Sequence, residues 1–261
     1  MSNTFDMRFP AIICFVKPFF QHFSLPKPRC QRPWIDETTV HELGHVVCGL
    51  LHKWKLMMLV VGPFKLYRED INSRVRFGLE KNPTLWGGCG GTFPAKDDDG
   101  VIDIFAKILL AGPLASLLLG AIFMTVFVLT KSDLALMIGL VSLGEGIACI
   151  LPINVKTGIL YNDGTRFKRI VKRGRERTEE KALFSIIIKG MLEGDNAIFD
   201  EDQLDILCGS TDADFKYYGL FYRFLNAKVR SDEDSMKRLR LEAESIKEKA
   251  SKYTVSVCVM E

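Results

Sequence analysis

Apolar positions are unevenly spread along the chain, and their densest run sits near its middle. From Ile108 to Thr130 there are 23 residues without a charge, enough as a helix to cross roughly 30 Å of hydrocarbon. Lys131-Ser132-Asp133 then forms a short polar turn, and Leu134 to Pro152 returns with one interior charge, Glu145. Residues 101–152 are thus predicted to form a transmembrane helical hairpin. The same hairpin buried inside a soluble protein is the alternative, and the uncharged length argues against it.

Upstream the texture changes to extended. Leu56 to Val61 is a β-type run, Gly62-Pro63 is a turn signal, and Phe64 to Tyr67 continues the pattern. Arg74 to Leu79 alternates polar and apolar residues as a half-exposed strand does. Residues 56–80 therefore read as a small β-sheet or hairpin. The Gly87–Gly91 cluster and Asp97-Asp98-Asp99-Gly100 read as loops; the glycines lack the lysine and hydroxyl of a phosphate loop.

The last hundred residues read as soluble and helical. Thr178-Glu179-Glu180 opens a helix to about Leu192, and Thr211-Asp212 caps an aromatic-rich stretch from Phe215 to Val229. Ser231 begins a last helix, in which Leu239, Ala243, Ile246 and Ala250 make a packing stripe. The expected fold class is mainly α: a polytopic membrane protein whose short transmembrane helix core carries a small β-hairpin insert and a soluble helical C-terminal tail. The expected division is an irregular segment 1–34, a membrane-embedded core 35–163 and a cytoplasmic helical region 164–261.

Composition agrees with a divided chain, since 48% hydrophobic residues coexist with 26% charged ones at a mean hydropathy of +0.10. The net charge of +3 gives no reason to expect a nucleic-acid partner. The basic residues are concentrated after the second apolar segment: Arg166, Lys168, Arg169, Lys172, Arg173, Arg175, Arg177 and Lys181. Such a flank marks the cytoplasmic side, so the first span starts there near Val101 and turns outside near Lys131. Seven scattered cysteines with no CxxC pair support neither a disulfide framework nor a cysteine metal site.

The chemistry is carried by His41-Glu42-Leu43-Gly44-His45. Two histidines at i and i+4 share one helix face and can close on a single Zn²⁺, with Glu42 between them in reach of water at the metal. A third protein ligand is needed. His52 fails on spacing, eleven residues after His41 where the extended motif needs ten, and reads as a polar helix end. Asp163, in Asn162-Asp163-Gly164 just past the second apolar segment, is the better candidate, and a carboxylate suits a two-histidine zinc set.

With these motifs in hand, the chain resembles the site-2 protease family of intramembrane zinc metalloproteases. The likeness rests on HELGH at 41–45, on Ala111-Gly112-Pro113-Leu114-Ala115-Ser116-Leu117-Leu118, close to that family's AGPLANLL pattern, and on Leu151-Pro152 followed by Asp163-Gly164. Their order and spacing agree over residues 37–175. The resemblance implies a zinc endopeptidase: His41, His45 and Asp163 as metal ligands, Glu42 as general base on zinc-activated water, and a membrane-anchored protein or hydrophobic peptide as substrate in the lipid bilayer. It also implies that the 56–80 sheet aligns an unwound substrate by strand addition.

Two departures stand beside the likeness. Cys149 occupies the position where the family has Asn, three residues before the proline, and Asn154 is a nearby replacement. The family also places HExxH within a transmembrane helix, whereas four prolines between residues 18 and 33 forbid a continuous helix upstream here. The motif helix is therefore expected to begin near Asp36, as if the N-terminus were altered or its start or splice displaced. These departures motivate the alternative of a catalytically inactive relative serving as a membrane-bound interaction scaffold. Glu145, an intramembrane charge, is expected to make a polar contact, either with the motif helix or with Lys107.

Overall fold

The computed structural model describes residues 34–260, apart from 83–84, 87, 153–155, 158–159 and 195–196. The segment read as irregular and the replacement Asn154 thus lie outside the described residues, save Trp34. Nine helices and six strands are assigned within the described residues, so the chain is mainly helical.

Helix α1 (Trp34–Leu51) starts immediately after Pro33, where a proline can precede but not interrupt a helix. Four strands follow: β1 (Lys55–Val61), β2 (Phe64–Tyr67), β3 (Arg76–Leu79) and β4 (Cys89–Phe93). They form one antiparallel sheet in the order β3-β2-β1-β4. Val61 pairs with Phe64 across Gly62-Pro63, and Gly62 has φ +56°, which a tight hairpin turn requires and glycine accepts without strain.

Strand β4 corrects the reading of the glycine cluster as a loop, and it turns the expected hairpin insert into a four-stranded sheet. Cys89-Gly90-Gly91 has no apolar alternation to announce a strand. The reason is its neighbour: a Cβ on Gly90 would stand 2.9 Å from Val46 Cγ2 and 3.1 Å from the Glu42 carbonyl oxygen. Glycine lets β4 lie directly against α1.

Helices α2 (Val101–Thr130) and α3 (Asp133–Ile150) form the expected hairpin. Lys131 closes α2 in a left-handed conformation, and the Ser132 side chain caps α3 by accepting from Ala135 N–H. By length and composition both are able to cross a membrane. Leu118, Ile122, Leu129, Leu134, Met137 and Leu140 stand exposed on them, an apolar surface that suits lipid better than water. Where the two helices meet, Gly120 admits Leu143 and Gly139 admits Met124, the close approach by which membrane helices gain packing energy.

After the short ribbon β5 (Lys156–Thr157) and β6 (Leu160–Tyr161), six helices complete the chain. They are α4 (Asp163–Val171), α5 (Arg175–Glu193), α6 (Glu201–Cys208), α7 (Ala213–Val229), α8 (Glu233–Ile246) and α9 (Lys252–Val257). Helix α8 is therefore not the last, and it is capped by Asp232 rather than begun at Ser231. Its Leu239 and Ala243 join a core with Leu204, Leu207, Phe215 and Phe224.

A second core joins the halves of the chain. Trp54, Phe93, Phe105 and Phe184 come together from β1's approach, β4, α2 and α5. The rings of Phe105 and Phe184 stack at 4.4 Å. Beneath them the carboxylate of Glu180 accepts from Arg166 and from Arg169, and Arg169 also reaches Glu179. All four groups are buried. Arg177 on α5 pairs with Asp103 at the start of α2 at 2.9 Å. Helix α4 is thereby held between the apolar hairpin and α5.

Candidate metal centre

The site forms where α1, the first half of α2, strand β4 and the start of α4 converge. His41, Glu42 and His45 are all buried, at 0%, 1% and 5% exposure. His45 can approach α2 because Gly112 lacks a side chain: a Cβ there would strike the His45 ring, lying 2.5 Å from Cε1. Gly44 performs the same service on the facing helix, where a Cβ would lie 2.5 Å from the Ala111 carbonyl oxygen. Glycine therefore stands on both sides of one helix crossing, in the HELGH motif and in AGPLASLL.

Asp163 arrives from the opposite side, as the first residue of α4. Asn162 caps that helix through its side-chain oxygen, which accepts from Thr165 N–H. The Asn162 amide also donates to the carbonyls of Ala148 and Leu151, which ties the end of α3 to the start of α4. Gly164 completes the fit by resting against the Ile150 carbonyl. The result puts Asp163 Oδ2 3.2 Å from His41 Nε2 and 3.5 Å from His45 Nε2. The ligand atoms of these three residues all lie within 4.8 Å of one another.

The proton positions around the cluster suit a cation. His45 Nδ1 lies 2.7 Å from the Ile108 carbonyl oxygen, which can only accept, so Nδ1 carries the proton and Nε2 keeps a lone pair. His45 Nε2, Asp163 Oδ1 and Glu42 Oε1 are three of the seven buried side-chain atoms of the described residues that have no hydrogen-bond partner. Unpaired buried polar atoms are costly unless something binds them. Two imidazole nitrogens and a carboxylate are a fitting set for Zn²⁺.

A family comparison agrees with this arrangement. The model of peptidase family M50 matches residues 38–258. The chain belongs to this family. M50 peptidases, the site-2 protease family, are zinc-dependent and membrane-embedded. No curated protein and no solved structure matches the chain. The M50 match extends well past the 37–175 span in which the motifs agree, through the helical region to α9.

The structure brings His41, His45 and Asp163 together with Glu42, while His52 stays apart. His52 Nδ1 bonds the Cys48 carbonyl at 2.9 Å, a helix-end contact. Glu145 is buried and reaches Ser116 at 3.2 Å and Thr38 of α1, the motif-helix alternative; Lys107 is exposed. Two participants had no clear sign in the sequence. The Gly90 N–H donates to Glu42 Oε2 at 2.7 Å, and Ser116 Oγ lies 3.1 Å from His41 Nδ1. A backbone donor leaves no trace in residue identity, and a serine within an apolar run has many bland explanations.

Proposed function

We propose that this M50 chain is an intramembrane zinc metalloendopeptidase that hydrolyses peptide bonds of membrane-anchored proteins or hydrophobic peptides. The observation that carries the reading is the buried convergence of His41, His45 and Asp163, whose ligand atoms lie within 4.8 Å of one another. These three residues hold the metal. Bound zinc supplies Lewis acidity, bringing water towards a neutral pKa and polarising a peptide carbonyl.

Glu42 moves the protons. Its Oε2 is pinned by the Gly90 N–H, and its unpaired Oε1 takes the proton of the attacking water and delivers it to the departing amine. Strand β4 is an edge strand beside α1. An unwound substrate segment adding to this edge has its backbone groups satisfied within the membrane and its carbonyl near Glu42.

The same proposal has α2 and α3 cross the membrane in a multi-pass protein, with the helices after Asp163 cytoplasmic. Arg166 and Arg169 are consumed in buried ion pairs, but Lys168, Lys172, Arg173, Arg175 and Lys181 remain exposed on that side and support the orientation. A second reading, an inactive scaffold, draws on Cys149, a thiol where the family has an amide. Cleavage of a reporter with a membrane anchor, by wild-type protein and by Glu42→Gln, separates the two. The enzyme reading expects cleavage that the substitution abolishes, and equal turnover in both removes Glu42 from the chemistry.

A further inference from the structure

The Glu145–Ser116–His41 chain does more than satisfy a buried charge. Ser116 sits on α2 with 0% exposure, and Glu145 on α3 with 7%. Ser116 Oγ lies between them, 3.2 Å from Glu145 Oε2 and 3.1 Å from His41 Nδ1. A serine hydroxyl has one proton to donate and a carboxylate has none. Glu145 accepts that hydrogen bond, so Ser116 faces His41 with a lone pair and favours the tautomer that carries the proton on Nδ1. A neutral imidazole has only one such proton. Its Nε2, 3.2 Å from the Asp163 carboxylate, is then the lone-pair atom open to a cation shared with Asp163, on the side where His45 Nε2 also stands.

We infer that Ser116 and Glu145 are positioning residues for the metal centre, selecting the His41 tautomer that presents Nε2 to the cation. This inference rests on the zinc reading proposed above. It gives the two histidines matching supports: the Ile108 carbonyl fixes His45, and the Ser116–Glu145 pair fixes His41. It also explains why α3, which contributes no ligand, carries a buried acid opposite the site. Groups that orient metal-bound histidines tune affinity strongly, and their loss costs about 10- to 100-fold.

The test is a double-mutant cycle on zinc affinity, read by chelator competition with the full chain purified in detergent. Ser116→Ala removes one hydroxyl, and Glu145→Met removes the acceptor while remaining compatible with an apolar helix. Each is expected to weaken zinc binding about 10- to 100-fold. Ser116→Thr, which keeps the hydroxyl, should restore affinity to within a few-fold of wild type. The double variant should be no weaker than Ser116→Ala alone, because Glu145 acts through the serine. If Glu145→Met does not fold, Glu145→Ala, which also lacks the acceptor, enters the same cycle with the same expected non-additivity. Unchanged affinity in Ser116→Ala, or losses that multiply in the double variant, overturns the relay while leaving the zinc site standing. A wild-type protein that binds no zinc overturns both readings.

Discussion

Replacing Gly112 with alanine places one methyl group at the crossing of α1 and α2, against the His45 ring. The added carbon would stand 2.5 Å from Cε1 and 2.8 Å from Cδ2, so the ring must retreat by about 1 Å to regain ordinary contact. It has little freedom to do so. Its Nδ1 is tethered to the Ile108 carbonyl at 2.7 Å, and the helices cannot slide closer because Gly44 already rests on Ala111 and Ala115. Overpacking of this kind costs about 1–3 kcal/mol. Its larger consequence is chemical, since His45 Nε2 leaves the cluster it shares with Asp163. Zinc affinity should fall at least as far as the about 10- to 100-fold cost of a lost supporting partner. The assay is metal content and chelator competition on purified Gly112→Ala, beside Gly144→Ala as control. Gly144 has open space around its Cβ position, and its substitution should be neutral or mildly stabilising. Wild-type zinc affinity and cleavage in Gly112→Ala would refute the claim that this glycine makes room for His45.

Gly90→Ala pushes β4 away from Val46 and Glu42, so turnover should drop while zinc content stays at wild-type level; equal loss of both would show that β4 supports the ligands instead. Glu180→Ala strands Arg166 and Arg169 without their shared carboxylate, at a cost of about 3–5 kcal/mol, seen as a lowered melting temperature in detergent; an unaltered melt would contradict it. Phe184→Ala opens a cavity under Trp54, Phe93 and Phe105, and should cost about 3–5 kcal/mol. Alkaline carbonate washing of membranes should leave the full chain in the pellet, and its release would argue that α2 and α3 are buried in a soluble protein.

Much of the site was legible because its chemistry has a fixed period or a costly composition. The i, i+4 histidines declare a shared helix face, and 23 uncharged residues declare a candidate span. Asp163 could be named because a carboxylate just past the second apolar segment was chemically apt beside two histidines. What stayed hidden depends on contacts between distant elements. Strand β4 exists because Gly90 and Gly91 pair with Leu59 and Met58 while Gly90 packs on α1, and glycines read singly suggest loops. The Ser116–Glu145 bond spans 29 positions, and only the packing of α2 on α3 sets its register. Helix α4 was missed as an element because its Arg166 and Arg169, which read as solvated charges, are buried against α5. The same ion pairs carry the helix that begins at Asp163, so the C-terminal helices are structurally coupled to the site.

The central claim is a cation held by His41, His45 and Asp163, and zinc stoichiometry tests it most directly. Wild-type protein purified without chelator should contain about one zinc per chain, and His41→Ala and Asp163→Asn should each contain almost none. Equal zinc in all three proteins, or none in the wild type, would contradict the account.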